Sequence, residues 1–182
     1  MRRLIMWNVI TLDGSFEGPK SWELDFHLDV WGDELHRFSV EQLHAADMLI
    51  FGRVTYEGMA AHWTKAEGEI ADLMNAIPKA VFSRTLASAD WSNATLVRDD
   101  PATAVSEWKG QGDGDLYVFG SANLSQALIR AGLFDEYRLL IAPVVLGEGR
   151  PLFERGADRL GLRLLEARPI ATGGILARYA PR

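Results

Sequence analysis

Short apolar runs alternate with longer segments whose apolar residues recur at helical spacing. Leu4 to Ile10, Met48 to Phe51, Ala80 to Phe82, Thr95 to Val97 and Leu116 to Phe119 are each bounded by turn residues, the pattern of strands covered on both faces. Between them, helical patterns run roughly over Asp33 to Ala45, Thr55 to Trp63, Glu67 to Asn75, Pro101 to Lys109 and Ala122 to Ala131. This alternation predicts an α/β fold with a mostly parallel central sheet and helices on both faces. After Asp135 the rhythm changes. Tyr137 to Val145, Leu162 to Ala167 and Ile175 to Tyr179 read as strands, with Thr172-Gly173-Gly174 as a hairpin turn between the last two, so an antiparallel edge closes the sheet. Gly110-Gln111-Gly112-Asp113-Gly114-Asp115 is a flexible acidic turn, and no repeat or low-complexity linker divides the chain. Residues 1–182 therefore read as a single domain.

Composition narrows the class. With 182 residues, the chain is long enough to bury about two-thirds of its unfolded surface without metals or disulfides. Its 48% apolar and 24% charged residues match a soluble globular protein. A net charge of −6 repels duplex nucleic acid and anionic membranes on average, so neither is an expected partner and any phosphate needs a local basic site. The absence of cysteine excludes disulfides, thiolate zinc sites and a cysteine nucleophile, and suits a reducing cytoplasm. Met1-Arg2-Arg3 before an apolar run looks like the start of a signal peptide, but the run reaches Thr11 and Asp13 with no small-residue cleavage site and reads as a first strand. No stretch approaches the ~20 apolar residues of a membrane span.

Three strand ends carry anion-binding chemistry. The apolar run ending at Phe51 leads into Gly52-Arg53-Val54-Thr55, where Gly52 permits close backbone approach, Arg53 offers a planar fork of donors, and Thr55 can cap a helix. Phe119 leads into Gly120-Ser121-Ala122-Asn123, which opens a helix containing Leu124 and so presents a helix N-terminus. Ser83-Arg84 follows the strand ending at Phe82 and offers a hydroxyl and a guanidinium to a phosphate monoester. Each alone is compatible with an ordinary turn. At successive strand ends they point to one nucleotide-type ligand, since open α/β sheets bind ligands at the carboxyl ends of their strands.

Together with Thr11-Leu12-Asp13-Gly14, Leu133-Phe134-Asp135-Glu136 and Pro143-Val144-Val145-Leu146-Gly147-Glu148-Gly149, these segments resemble the dihydrofolate-reductase-like superfamily over nearly the whole chain. Within it, the chain is similar to stand-alone relatives of the C-terminal reductase domain of the bifunctional riboflavin-biosynthesis deaminase-reductase. The resemblance implies a three-layer fold, a homodimer, and NADPH-dependent reduction of a small heterocyclic or carbonyl substrate, as in 5-amino-6-(5-phosphoribosylamino)uracil reductase. It further implies Arg53 and Thr55 on the phosphates with Gly52 and Val54 beside them, Ser83 and Arg84 near the adenosine 2′-phosphate, and Gly120, Ser121, Ala122, Asn123 and Leu124 beneath the pyrophosphate after Phe119. No acid stands at Ser83 or Arg84 to accept a ribose hydroxyl, which favours NADPH over NADH. The alternative is a nucleotide-binding or regulatory protein that keeps the cradle without turnover.

Glu34-Leu35-His36-Arg37-Phe38 is similar to the folate-reductase pattern of an acid, an aliphatic residue and an aromatic four positions after the acid. It marks Glu34 as the candidate proton donor with Phe38 on the same helical face. Glu34 reads also as a solvated first-turn acid stabilised by the helix dipole. Asp13 is the other carboxylate near the expected substrate, and reads also as a turn former. Trp7, Asn8, Trp22 and Trp31 lie where a flat heterocycle can stack on an indole, although core packing explains Trp7 as well. Three competing readings are weaker. Asp25-Phe26-His27-Leu28-Asp29 lacks a closing metal ligand and reads better as a polar loop, Gly147-Glu148-Gly149-Arg150-Pro151 reads as a turn, and a Ser121 hydrolase lacks both the Gly-x-Ser-x-Gly pattern and a downstream histidine.

Overall fold

Leu49 and Phe51 face one side of a strand and Ile50 the other, and all three are fully buried, as the sequence pattern requires of a doubly covered sheet. Each such burial stabilises by roughly 1.5–3 kcal/mol, so a polar substitution here breaks the sheet centre. The computed structural model describes residues 1–182. In chain order its elements are β1 (Leu4–Thr11), β2 (Ser15–Glu17), α1 (His27–Val30), α2 (Asp33–Ala45), β3 (Ala46–Gly52), α3 (Arg53–Trp63), α4 (Glu69–Ala76), β4 (Lys79–Phe82) and β5 (Ala94–Val97). There follow α5 (Pro101–Lys109), β6 (Asp115–Phe119), α6 (Ala122–Arg130), β7 (Glu136–Ala142), β8 (Arg150–Pro151), β9 (Leu162–Pro169) and β10 (Ile175–Pro181).

Eight strands form one sheet in the order β5-β4-β3-β6-β1-β7-β10-β9. The neighbours from β5 to β7 pair parallel, while β10 runs antiparallel to both β7 and β9. The expected antiparallel edge is present, turning at Gly173 with φ +96°. One face packs Met6, Ile50, Val118 and Leu128 under α5 and α6; the other packs Ile5, Leu49, Tyr117 and Met74 under α3 and α4. A third cluster, with Val9, Val30, Leu35 and Leu140, seats α1 and α2 on the sheet. Helix α5 starts at Pro101 because Asp100 accepts the Thr103 N–H at 3.0 Å while proline needs no donor partner there.

Three short elements escape the periodicity. β2 and β8 pair in a separate two-stranded sheet, so Arg150-Pro151, expected in a turn, forms part of that ribbon. Likewise, α1 is one turn of helix in a segment expected as a polar loop. These three lack the uninterrupted apolar run that marks the equally short β4 and β5.

Candidate active site

Strands β3 and β6 are parallel neighbours, so the loops leaving their carboxyl ends, at Gly52 and at Gly120, lie side by side. Both Gly120 (φ +58°) and Ser121 (φ +56°) are left-handed, and together they turn the chain sharply into α6. This turn places the Ser121 hydroxyl so that it accepts the Gly52 N–H at 2.9 Å, while the Ser121 N–H donates to the Thr55 hydroxyl at 3.0 Å. A Cβ on Gly120 would meet Thr55 Cγ2 at 3.3 Å, so the loops touch tightly. A Cβ on Gly52 would lie 3.7 Å from Ser121 Oγ and 3.9 Å from Leu124 Cβ, ordinary contacts, so packing alone does not require glycine there. Helices α3 and α6 thus begin next to each other, and their first N–H groups lack intrahelical acceptors.

A cavity of about 610 Å³ runs from Phe82 and Pro101, past Gly52–Thr55 and Phe119–Leu124, to a wall built by β1 and α2. Trp7, Trp22, Trp31 and Trp63 all line it. The Trp22 indole donates to the Val54 carbonyl at 3.2 Å, and its backbone N–H donates to the Glu17 carboxylate at 3.1 Å. A Cβ on Gly58 would overlap this indole, so the glycine is what admits Trp22 to α3. Arg53, half exposed, pairs with Glu57 one turn along at 3.1 Å. Arg150 donates to Glu17 at 3.1 Å and to Asn123 Oδ1 at 3.0 Å.

Three buried side-chain nitrogens on this wall, Asn8 Nδ2, His27 Nε2 and Gln42 Nε2, have no partner within the protein. Burial pushes His27 down to about 4, so the ring is neutral at pH 7. Unmet buried polar groups are rare in folded proteins.

Residues 2–176 match the family described as the RibD C-terminal domain. The chain belongs to the RibD C-terminal domain family. It is 33% identical over 183 residues to the uncharacterised protein YyaP of Bacillus subtilis (strain 168), covering 98% of this chain and 94% of that one. Its fold is similar to that of a putative riboflavin biosynthesis protein from Shewanella sp. PV-4, with TM-score 0.83, 19% identity and 99% of each chain covered. It is also similar to dihydrofolate reductase from Enterococcus faecalis, solved with NADP(H), with TM-score 0.66, 14% identity and coverage of 99% and 96%. The fold is thus dihydrofolate-reductase-like, as the motifs implied. No helix is long and apolar enough to cross a membrane.

In this RibD C-terminal domain the cavity brings together Gly52, Arg53, Val54, Thr55, Phe119, Gly120, Ser121, Ala122, Asn123 and Leu124, and with them Trp7, Asn8 and Trp22. Thr55 does not cap α3; that position is Gly52, and the Thr55 hydroxyl is taken by Ser121.

Five expected residues lie off the cavity wall. Glu34 accepts the Ala171 N–H at 2.5 Å and faces Arg168 at 3.7 Å, because α2 turns Leu35, Ser39 and Gln42 toward the cavity instead. Phe38 packs on Trp7 with ring centres 5.3 Å apart, supporting that indole from behind. Asp13 accepts the Thr11 hydroxyl at 2.5 Å and the Gly147 N–H at 2.9 Å, the turn-forming alternative; these bonds hold its carboxyl below the usual range. Ser83 Oγ accepts the Leu86 N–H at 3.0 Å within its own loop, and the Arg84 charge is felt by Asp100. Gln42, His27 and Arg150 were not read as site residues in the sequence, and only the fold brings them to the cavity.

Proposed function

We propose that this domain is an oxidoreductase that binds NADPH along the Gly52–Thr55 and Gly120–Leu124 loops and reduces a small heterocyclic or carbonyl substrate. The carrying observation is the Gly52–Ser121–Thr55 hydrogen-bond pair, which sets two helix N-termini and Arg53 against one cavity at the carboxyl ends of neighbouring parallel strands. The residues present fit a dinucleotide. Arg53 and the start of α3 suit one phosphate, the α6 N–H groups suit a second, and residues of β1 and α2 line the same cavity of about 610 Å³. The NADP(H) complex of the Enterococcus faecalis reductase, on the same fold, supports the choice of cofactor.

NADPH, when bound, supplies a hydride. The chain's own part is binding and orientation. Arg53 and the helix N-termini neutralise phosphate charge, and Ser121 fixes the spacing of the two loops. Trp22, tied to Val54 and Glu17, holds its indole in place on the cavity lining. No carboxylate of α2 lines the cavity, so a proton reaches the substrate from solvent or from the substrate's own surroundings rather than from Glu34.

Residues 1–182 read as one such domain, acting as a cytoplasmic homodimer. The test is a fluorescence titration with NADPH followed by its oxidation across pterins, pyrimidines and quinones. Binding with turnover is expected. Binding without turnover on any acceptor favours a nucleotide-binding or regulatory protein, and no binding rejects both readings.

A further inference from the structure

The hairpin of β9 and β10 sorts its residues by kind. On the α5–α6 face of the sheet, the register sets Leu164 beside Tyr179 and Tyr137, and Ala167 beside Ala177 and Leu139. Ile175 follows between Pro169 and Ile141, so three rows across three strands hold no charged residue. The hairpin's charges, Arg163, Glu166, Arg168 and Arg178, alternate onto the other face. There Arg178 meets Glu166 at 3.0 Å and Glu136 at 2.6 Å, and α2 brings Glu34 to within 3.7 Å of Arg168.

That second face is covered, and the first is not. Helices α5 and α6 lie over Met6, Val118 and Leu128 nearer the sheet's centre, whereas Leu164 stays 53% and Ile175 44% exposed. Six of the eleven large apolar side chains that the fold leaves exposed fall between residues 145 and 175, the segment that frames this face. One of them, Phe153, packs on Tyr137 with ring centres 6.3 Å apart. β9 is also the last strand of the sheet, but Leu165 is an extra residue between its pairings with Arg178 and Tyr179. Such a bulge distorts the free edge, so the face rather than the edge is left to be covered.

Resting on the homodimer reading above and not on the cofactor, we propose that this face docks on the same face of a second copy, sheet against sheet across a two-fold axis. Three strands about 4.8 Å apart, with residues 164–169 rising about 3.3 Å each, give an apolar patch of roughly 250 Å². That is the size of the apolar centre of a contact covering about 800 Å² on each partner, the rest being polar rim. A two-fold contact sets a patch against its own image, so a patch of one charge would repel itself. This face carries none, and the exposed loop leading into β9 offers both signs in Arg155, Asp158 and Arg159. An anionic membrane fits less well, since the face has no basic residue and the chain carries −6.

The test is sedimentation over a dilution series from about 10 μM chain, above the micromolar dissociation constants of the weaker interfaces of standard size. The wild type sediments at twice the chain mass. Leu164→Glu places a charge on the face in both copies at once and raises the dissociation constant about a hundredfold or more. Ile175→Thr keeps a β-branched side chain, raises it about tenfold, and serves if the glutamate variant does not fold. Leu28→Glu, at a side chain 78% exposed on α1, leaves it unchanged. A wild type of single-chain mass overturns the proposal together with the homodimer reading and leaves the face to a partner of another kind. A dimer whose dissociation constant is unchanged in the folded variants at 164 and 175, or is raised as much by Leu28→Glu, overturns this face alone. NADPH is titrated in parallel, and a wild type that pairs through this face without binding NADPH strikes the reductase reading only.

Discussion

Ser121 Oγ lies 2.9 Å from the Gly52 nitrogen across 69 residues of sequence, and this bond joins the two loops that open α3 and α6. Ser121→Ala leaves the Gly52 N–H unmet and costs about 1–3 kcal/mol of stability. NADPH affinity falls with it, because the spacing of the loops is no longer fixed. Ser121→Gly loses the same hydroxyl but relieves the left-handed strain, so urea unfolding should rank it above Ser121→Ala. The reverse ranking would show that the hydroxyl bond is not what holds this corner.

Gly120→Ala meets two obstacles at once: φ of +58° and Thr55 Cγ2 at 3.3 Å. The backbone strain alone is worth roughly 1–2 kcal/mol. A thermal melt is expected to show a lower midpoint, and NADPH binding should weaken beyond what that loss of stability explains. An unchanged midpoint would mean the loop can relax freely.

How far the sequence reveals this site depends on the kind of residue. Gly52, Gly120 and Ser121 are legible because glycine and serine directly after an apolar strand have a backbone meaning independent of context. Glu34 shows the limit of periodicity. The i, i+4 spacing correctly puts Glu34 and Phe38 on one side of α2, but not which side faces the cavity; the lining face is one position further on, at Leu35, Ser39 and Gln42. Gln42 has no local signal at all. Its amide oxygen is held by Arg138, 96 residues away on β7. Arg150 reads as part of a glycine turn until β8 pairs with β2 and carries it to Glu17 and Asn123.

Arg53 is half exposed and its ion pair with Glu57 is of the surface i,i+4 kind, worth only about 0.3–0.5 kcal/mol, so Glu57 gives it up readily to a phosphate. Arg53→Ala should weaken NADPH binding by roughly 1.5–3 kcal/mol at low salt, and by less as salt screens the contact. Glu57→Gln should leave affinity equal or tighter. Titrations of both variants at two salt concentrations check this; an Arg53→Ala affinity equal to wild type removes Arg53 from the site.

Acid destabilises this fold in two stages. Burial holds His27 at about 4 against an ordinary 6.5. For Glu136, burial alone would raise the carboxyl, but hydrogen bonds and charge from Arg138 and Arg178 outweigh it and hold the group at about 2 against 4.5. In both cases the unfolded chain binds protons first, so stability falls as pH falls. His27 loses its share between 6.5 and about 4, and Glu136 between 4.5 and about 2. Urea unfolding from pH of about 7 down to about 3 should show a continuous decline, and His27→Gln should flatten its upper part. Stability that rises on going from about pH 7 to about 5 would contradict the burial of a neutral His27.

The central claim is that the loops at Gly52 and Gly120 grip one dinucleotide, and a crystal structure of the protein soaked with NADPH tests it most directly. The account predicts phosphate density beside Gly52 and the α6 N-terminus, with Arg53 turned from Glu57 toward it and the nicotinamide reaching the β1–α2 wall. Density elsewhere on the molecule, or none against these two loops at saturating NADPH, would contradict it.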